Sequence, residues 1–293
     1  MQFIIQKLKK FKFLYLLKGY IRVRNKYYFF SKKWYVSPSL RQAQILKSYV
    51  TKNKFYKQRE EGPNYFLTEV ISKNSVIFDI GGNLGYSALH YSRVLNGAGN
   101  GKCFSFEPVS KNFSDMIFNF GHIKNIVFFK FGISNKAENL KFGLPSFIDD
   151  NSEINTGLYT SKNLKDDDFI EECKVFSLDS FVDFINLGNK SIDYIKIDIE
   201  GAELNALIGA KNLLSTHQPI IQIEYNKSAT DKDNFKSIVK NLFEYTYEPF
   251  KIKQNYLNEK TGYEVFFIKK NILEQLKKNK FFNDRFINIS DKY

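Results

Sequence analysis

The sequence predicts an α/β protein built on an open, mostly parallel sheet, and three observations carry that expectation. The first is the near-continuous apolar run of Val76, Ile77, Phe78 and Ile80, the pattern of a strand buried on both faces. The second is the glycine-rich turn from Gly81 to Gly85, which opens directly into a helical pattern running to about Leu95. The third is a set of acids, Asp79, Glu107 and Asp198, each at the carboxyl end of a strand pattern. Open α/β sheets bind their ligands at those ends. With 293 residues, 43% of them hydrophobic, the chain can bury a substantial core.

Taken in order, the chain begins with an extension rich in Lys, Phe, Tyr and Leu. Its longest apolar run, Phe13 to Leu17, is far short of the roughly 7–15 residues of a signal core or the ~20 of a membrane-spanning helix. Written as a helix, it puts Ile4, Leu8, Phe11 and Tyr15 on one stripe, with Lys7 and Lys18 crowding it. Residues 1–60 hold 16 Lys and Arg against one acid, Glu60, while the rest holds 28 basic and 30 acidic residues. The net charge of +13 therefore belongs to the extension. Residues 1–36 suit an anionic membrane surface, a solvated helical or oligomer contact, or nucleic acid, in that order. The third option rests on Tyr27, Tyr28, Phe29, Phe30, Trp34 and Tyr35, whose rings can stack on bases.

A helical pattern follows from Ser37 to Glu61, and Gly62 with Pro63 then punctuates the chain. This divides the protein into a basic, aromatic helical extension (1–62), a catalytic domain (63–270) and a basic tail (271–293), helical at first. A short helix through Phe66, Leu67, Val70 and Ile71 leads into the first strand.

The glycine turn fails two familiar fingerprints. Reading G-x-G-x-x-G from Gly81 puts Asn83 and Tyr86 where the second and third glycines belong, and no phosphate-cradling G-x-x-x-x-G-K-[ST] string occurs. The second strand, Lys102 to Phe106, ends in Glu107 and Pro108. A carboxylate there can accept hydrogen bonds from both hydroxyls of a ribose. Next come a helix from Val109 to Phe120, a strand from Ile126 to Phe131, and a turn from Gly132 to Asn135. Leu140 to Leu144 and Cys173 to Phe176 read as extra strands. The polar stretch between them, Pro145 to Glu172, is long enough to be a functional lid and is the candidate acceptor-binding loop.

A helix from Leu178 to Leu187 precedes the strand Ile192 to Ile199. Asp198 and Glu200 are two apart, so a persisting strand would project both to one side. The strand Pro219 to Tyr225 follows, with Glu224 at its end. Phe243 to Lys253 and Tyr263 to Lys269 read as strands joined by a polar turn.

Three strings, D-x-G-x-N-x-G at 79–85, Phe106-Glu107-Pro108, and K-I-D-I-E-G-A-E at 196–203, resemble the motifs of the FkbM family of S-adenosylmethionine-dependent methyltransferases. Asn155-Thr156-Gly157 resembles a short signature of the same family. The resemblance covers about residues 63–270. It implies a Rossmann-like class I methyltransferase fold, with a seven-stranded sheet closed by a C-terminal antiparallel pair, and O-methylation of a hydroxyl, often on a sugar or a polyketide. It also implies that the turn Gly132 to Asn135 grips the adenine. On this reading Gly81, Asn83 and Gly85 meet the methionine part of S-adenosylmethionine, Asp79 supports that loop, and Glu107 holds the ribose. Asp198 and Glu200 are the candidate bases for the acceptor hydroxyl, with capping of the next helix as their structural alternative.

The expected acceptor is a sugar hydroxyl in a glycan or glycoconjugate. A nucleic-acid methyltransferase and a non-catalytic membrane scaffold are the rival readings. Cys103 and Cys173 make no metal spacing and no disulfide framework, and His90, His122 and His217 are scattered, so no metal site is expected. A divalent ion on the carboxylates would lower the hydroxyl pKa, but the sequence shows no complete ligand set. The cysteine usage points to the cytoplasm, with the basic extension at the inner membrane face. Oligomeric state is not legible.

Overall fold

A computed structural model of the chain describes residues 19–23, 26–30, 35–36, 67, 70–71, 74–98, 101–143, 169–185, 187–226, 229–252 and 262–292. Strands β1 (Gly19–Val23), β2 (Lys26–Phe30) and β3 (Tyr35–Val36) come first. The catalytic body opens with β4 (Val76–Ile80), α1 (Tyr86–Ala98), β5 (Lys102–Phe106), α2 (Ser110–Phe120) and β6 (Ile126–Phe129). Then follow β7 (Gly132–Ile133), β8 (Glu138–Gly143), β9 (Phe169–Phe176), α3 (Leu178–Ile185) and β10 (Ile192–Ile197). The remainder is α4 (Glu203–Ile208), α5 (Lys211–Thr216), β11 (Ile220–Asn226), α6 (Ala229–Glu244), β12 (Tyr247–Ile252), β13 (Gly262–Lys269), α7 (Lys270–Leu276), α8 (Lys280–Arg285) and β14 (Phe286–Asn288).

The main sheet runs β14-β12-β13-β11-β10-β4-β5-β6. Its strands from β11 through β6 pair in parallel, and β12, β13 and β14 add antiparallel neighbours. The chain starts at β4, builds outward through β5 and β6, then returns to lay β10 and β11 on the other flank. That reversal places a topological switch point between β4 and β10. The Rossmann-like α/β expectation is met.

The apolar runs explain both layers of the core. Val76, Phe78 and Ile80 pack on one face with Ile195, Ile197, Ile221, Ile223 and the helices α4 to α6. Ile77, Tyr194, Ile220 and Phe266 pack on the other with α1 and α7. Phe181 of α3 caps the first face, its ring centroid 4.9 Å from those of both Phe106 and Phe129. Such edge-to-face pairs add to simple burial.

Several expectations need correction. The extension forms a three-stranded antiparallel sheet over 19–36, with β3 beside α2, where a helix was expected. Tyr, Phe, Ile and Val crowd those strands and favour a pleated surface over a helix, and only Arg24 and Asn25 separate β1 from β2, a hairpin spacing. The helix expected over 37–61, the boundary at 62 and most of the candidate acceptor loop, including Asn155 to Gly157, lie outside the described residues.

The main sheet has eight strands, not seven, because Phe286 to Asn288 pairs with β12. Gly132 and Ile133 are a strand in a small β7-β9-β8 sheet, not a turn, and β9 begins at Phe169, earlier than Cys173. Phe243 belongs to α6, a 16-residue helix that the sequence reading left unmarked, and the following strand starts only at Tyr247. Cys103 and Cys173 are free and buried. No helix among the described residues is long and apolar enough to cross a membrane.

Candidate active site

Polar residues alternate with apolar ones at the carboxyl ends of the strands, and the register lines them up on the α1 face. Ser105, Asp79, Lys196 and Gln222 form one row across β5, β4, β10 and β11. Two residues further along the chain stand Glu107, Gly81 and Asp198, each just past the end of its strand, and Glu224 within β11, where Glu264 of β13 pairs with it. Asp79, Asp198, Glu224 and Glu264 thus surround one buried ammonium, that of Lys196.

The β4–β5 half is tied together internally. Asp79 is fully buried and accepts a 2.9 Å bond from Ser105 Oγ, while its Oδ1 has no hydrogen-bond partner among the described residues. Burial pushes its carboxyl up, with the Lys196 charge pulling the other way. Glu107 is 4% exposed; its Oε2 accepts the Asn83 amide at 2.8 Å and its Oε1 the Val109 amide at 2.9 Å. Burial pushes Glu107 up to about 7, against the pull of those amides and of the Asn112 side chain.

The glycine turn owes its sequence to packing as well as to any ligand. Gly81 has φ +86°, and a Cβ there would run into the backbone carbonyl of Asp198. Gly85 has φ +85°, and a Cβ would sit 2.8 Å from Met116 and from Phe120. Asn83 takes φ +48°, a left-handed conformation that Asn tolerates better than most residues.

The β10–β11 half is open. A cleft of about 110 Å³ is lined by Asp198, Glu200, Glu203 and Glu224, with Asn234, Phe235 and Ile238 from α6. The Lys196 ammonium, 2.7 Å from Asp198 Oδ2, binds that carboxylate. Strand β10 ends at Ile197, so the expected alternation does not extend to Glu200, which sits at φ +51°. Both acids still reach the same cleft. Neither caps α4, which has no side-chain cap; Glu203 instead orders the turn before it, accepting the Gly201 amide at 2.9 Å and the Ile199 amide at 3.3 Å.

Glu224 is exposed at the rim. Enclosure by the cleft, then the charges of Asp198 and Glu264, push its carboxyl up to about 7. Glu264 is pushed up by burial, opposed by Lys196, and its Oε2 has no hydrogen-bond partner among the described residues. Lys196 keeps its proton because Asp198 and Asp79 outweigh its burial.

The structure therefore brings Asp79, Gly81, Asn83, Gly85 and Glu107 together on one side of the switch point, and Asp198 and Glu200 on the other. The sequence reading assigned no role to Lys196, Gln222, Glu224 or Glu264. Their signal was present as polar residues at i and i+2 inside otherwise apolar strands. Among the described residues no three His, Cys, Asp or Glu side chains are grouped to hold a metal ion.

The residues fit S-adenosylmethionine. Each Glu107 oxygen receives one backbone amide and keeps acceptor capacity for a ribose hydroxyl, and the excess of carboxylates suits a cationic sulfonium.

The family model described as the methyltransferase FkbM domain matches residues 79–249. None of the curated proteins matches the chain in sequence. Among solved structures, the methyltransferase FkbM from Methylobacillus flagellatus KT is similar at 17% identity, over 77% of this chain and 53% of that one, with a TM-score of 0.47. The chain thus spans about half the length of that relative. The Aeropyrum pernix fibrillarin with natively bound S-adenosylmethionine aligns at 9% identity over 86% of this chain and 100% of that one, with a TM-score of 0.43. A putative rRNA methylase from Clostridium thermocellum aligns at 9% over 71% and 93%, with a TM-score of 0.40.

Proposed function

The chain belongs to the FkbM methyltransferase family, whose methyl donor is S-adenosylmethionine, and from that premise we propose that it methylates a hydroxyl of a sugar in a glycan or glycoconjugate. One observation carries the reading: Gly81 packs on the Asp198 carbonyl, so the cofactor turn and the acid-lined cleft share a wall. Donor and acceptor sites are then adjacent.

S-adenosylmethionine supplies an electrophilic methyl group. Gly81, Asn83 and Gly85 present backbone to its methionine part, Asp79 braces the loop through Ser105, and Glu107 accepts the ribose hydroxyls. Asp198, Glu200 and Glu224 offer acceptors to neutral hydroxyls. The same carboxylates repel a phosphate backbone, which favours a sugar over a nucleic acid in the cleft. The basic residues 1–36 would hold the enzyme on an anionic membrane surface, and full-length protein is expected to pellet with anionic but not neutral vesicles.

The test is incubation with methyl-labelled S-adenosylmethionine and separated cellular glycan, lipid and RNA fractions. Label is expected as O-methyl ether in sugar-containing material. Label confined to RNA overturns the reading.

A further inference from the structure

We propose that Glu224 is the general base that takes the acceptor hydroxyl's proton, and that Lys196 is a positioning residue that holds Asp198 out of that role. The inference rests on the transferase reading above. Four carboxylates line the cleft, and their partners separate them. Glu203 is engaged with the amides of Ile199 and Gly201. Asp198 is bound to the Lys196 ammonium at 2.7 Å. Glu200 lies past the end of β10 on a left-handed backbone, with contacts of its own. The side-chain carboxylate of Glu224, near the carboxyl end of β11, has no hydrogen-bond partner among the described residues. It faces the cleft that Asp198 also lines, each of the two acids being the residue after the Ile197–Ile223 pair of the neighbouring parallel strands.

The step balances simply. The acceptor oxygen forms a bond to the methyl carbon, the carbon–sulfur bond breaks with its electron pair going to sulfur, and the hydroxyl proton passes to a Glu224 oxygen and then to water. A base works best with a pKa near the working pH. The groups that set the charge at Glu224 are Lys196 on β10, Asp198, Glu200 and Glu203 after it, and Glu264 on β13, while α6 presents Asn234, Phe235 and Ile238. Enclosure and the like charges raise its carboxyl, whereas Lys196 lowers it. Glu224 accepts the proton only when ionised, so the rate rises with pH and levels off above about 7.

The experiment uses full-length protein, labelled S-adenosylmethionine and the glycan fraction that the wild type labels. It compares wild type, Glu224→Gln and Asp198→Asn from pH 5.5 to 9, with S-adenosylmethionine affinity measured by calorimetry on each. We expect Glu224→Gln to lower transfer about 10²–10⁴-fold and lose the rising limb, while its affinity for S-adenosylmethionine changes less than about threefold. Asp198→Asn is expected to keep the rising limb whatever its rate. A Glu224→Gln enzyme within about threefold of wild type at pH 8, or a rising limb abolished only by Asp198→Asn, overturns this inference alone. A Glu224→Gln protein that loses S-adenosylmethionine binding overturns it too, because the residue then serves the cofactor half. Label on nitrogen, or none from a wild type that binds S-adenosylmethionine, overturns the transferase reading and this inference with it.

Discussion

The two sides of the switch point use carboxylates in opposite ways. On the β4–β5 side, Asp79 and Glu107 are buried and turned inward, receiving Ser105 and two backbone amides that fix the glycine turn. On the β10–β11 side, Asp198, Glu200 and Glu224 face a cleft, and the Glu224 carboxylate has no hydrogen-bond partner among the described residues. A half that recognises one constant molecule gains from rigidity, since prepaid order lowers the cost of binding. A half that handles protons needs a carboxylate whose acceptor positions are open. Lys196 and Gly81 join the two, one through charge and the other through contact.

Removing that charge should have the largest effect. Lys196→Met leaves Asp79, Asp198 and Glu264 facing one another without their cation, and breaking a buried pair from one side costs about 3–5 kcal/mol. The loss should be greater at pH 8 than at pH 5, because unpaired carboxylates regain neutrality by binding protons. Urea denaturation at the two pH values measures it. An equal loss at both would show that Lys196 serves packing alone. Next comes Gly81→Ala, which forces a side chain onto a positive φ and into the Asp198 carbonyl. A loss of roughly 2–4 kcal/mol follows from backbone strain and overpacking together, and calorimetry should find S-adenosylmethionine binding reduced at least tenfold. Unchanged binding would separate the two halves that this contact is taken to join.

The halves also differ in how far the sequence disclosed them. Asp79, the glycines and Glu107 were legible because strand, acid and turn are adjacent in the chain, and local chemistry sets their geometry. The β10–β11 half depends on register between strands far apart in sequence. Nothing local to Lys196 says that Asp79 lies beside it, or that Glu264 of β13 will stand opposite Glu224. The extension misled for a related reason. Its Lys spacing reads as an imperfect amphipathic helix, while its aromatic and β-branched residues pair as strands only once a hairpin brings them together. Helix α6 was missed because its exposed, polar residues outnumber the apolar Phe235, Ile238, Val239 and Leu242 that face the core.

A smaller effect tests the inward-turned half. Glu107 titrates near 7 in the fold, above the roughly 4.3 of an unfolded glutamate, so the native state holds a proton that the unfolded chain has lost. Stability from this group is therefore fully present below about 4.3 and is lost as pH rises through about 7, by about 3–4 kcal/mol. Denaturation of wild type and Glu107→Gln between pH 5 and 8 should show a steeper decline in the wild type. Glutamine supplies one carbonyl oxygen for two backbone amides, so the variant starts lower, and its affinity for S-adenosylmethionine should fall about tenfold or more. An unchanged affinity would remove the ribose assignment.

The smallest expected effect concerns Glu200, which shares the cleft with Glu224 but sits on a left-handed backbone. Asparagine tolerates that conformation better than glutamate and carries no charge. Glu200→Asn should therefore change stability by less than about 1 kcal/mol and leave both S-adenosylmethionine affinity and transfer rate within about threefold of wild type. Thermal melts and label transfer at pH 8 would check this. A rate lost with affinity retained would move the base from β11 to the turn after β10. Because asparagine suits the left-handed backbone and the melts read stability separately, such a loss at an unchanged melting temperature could not be assigned to misfolding.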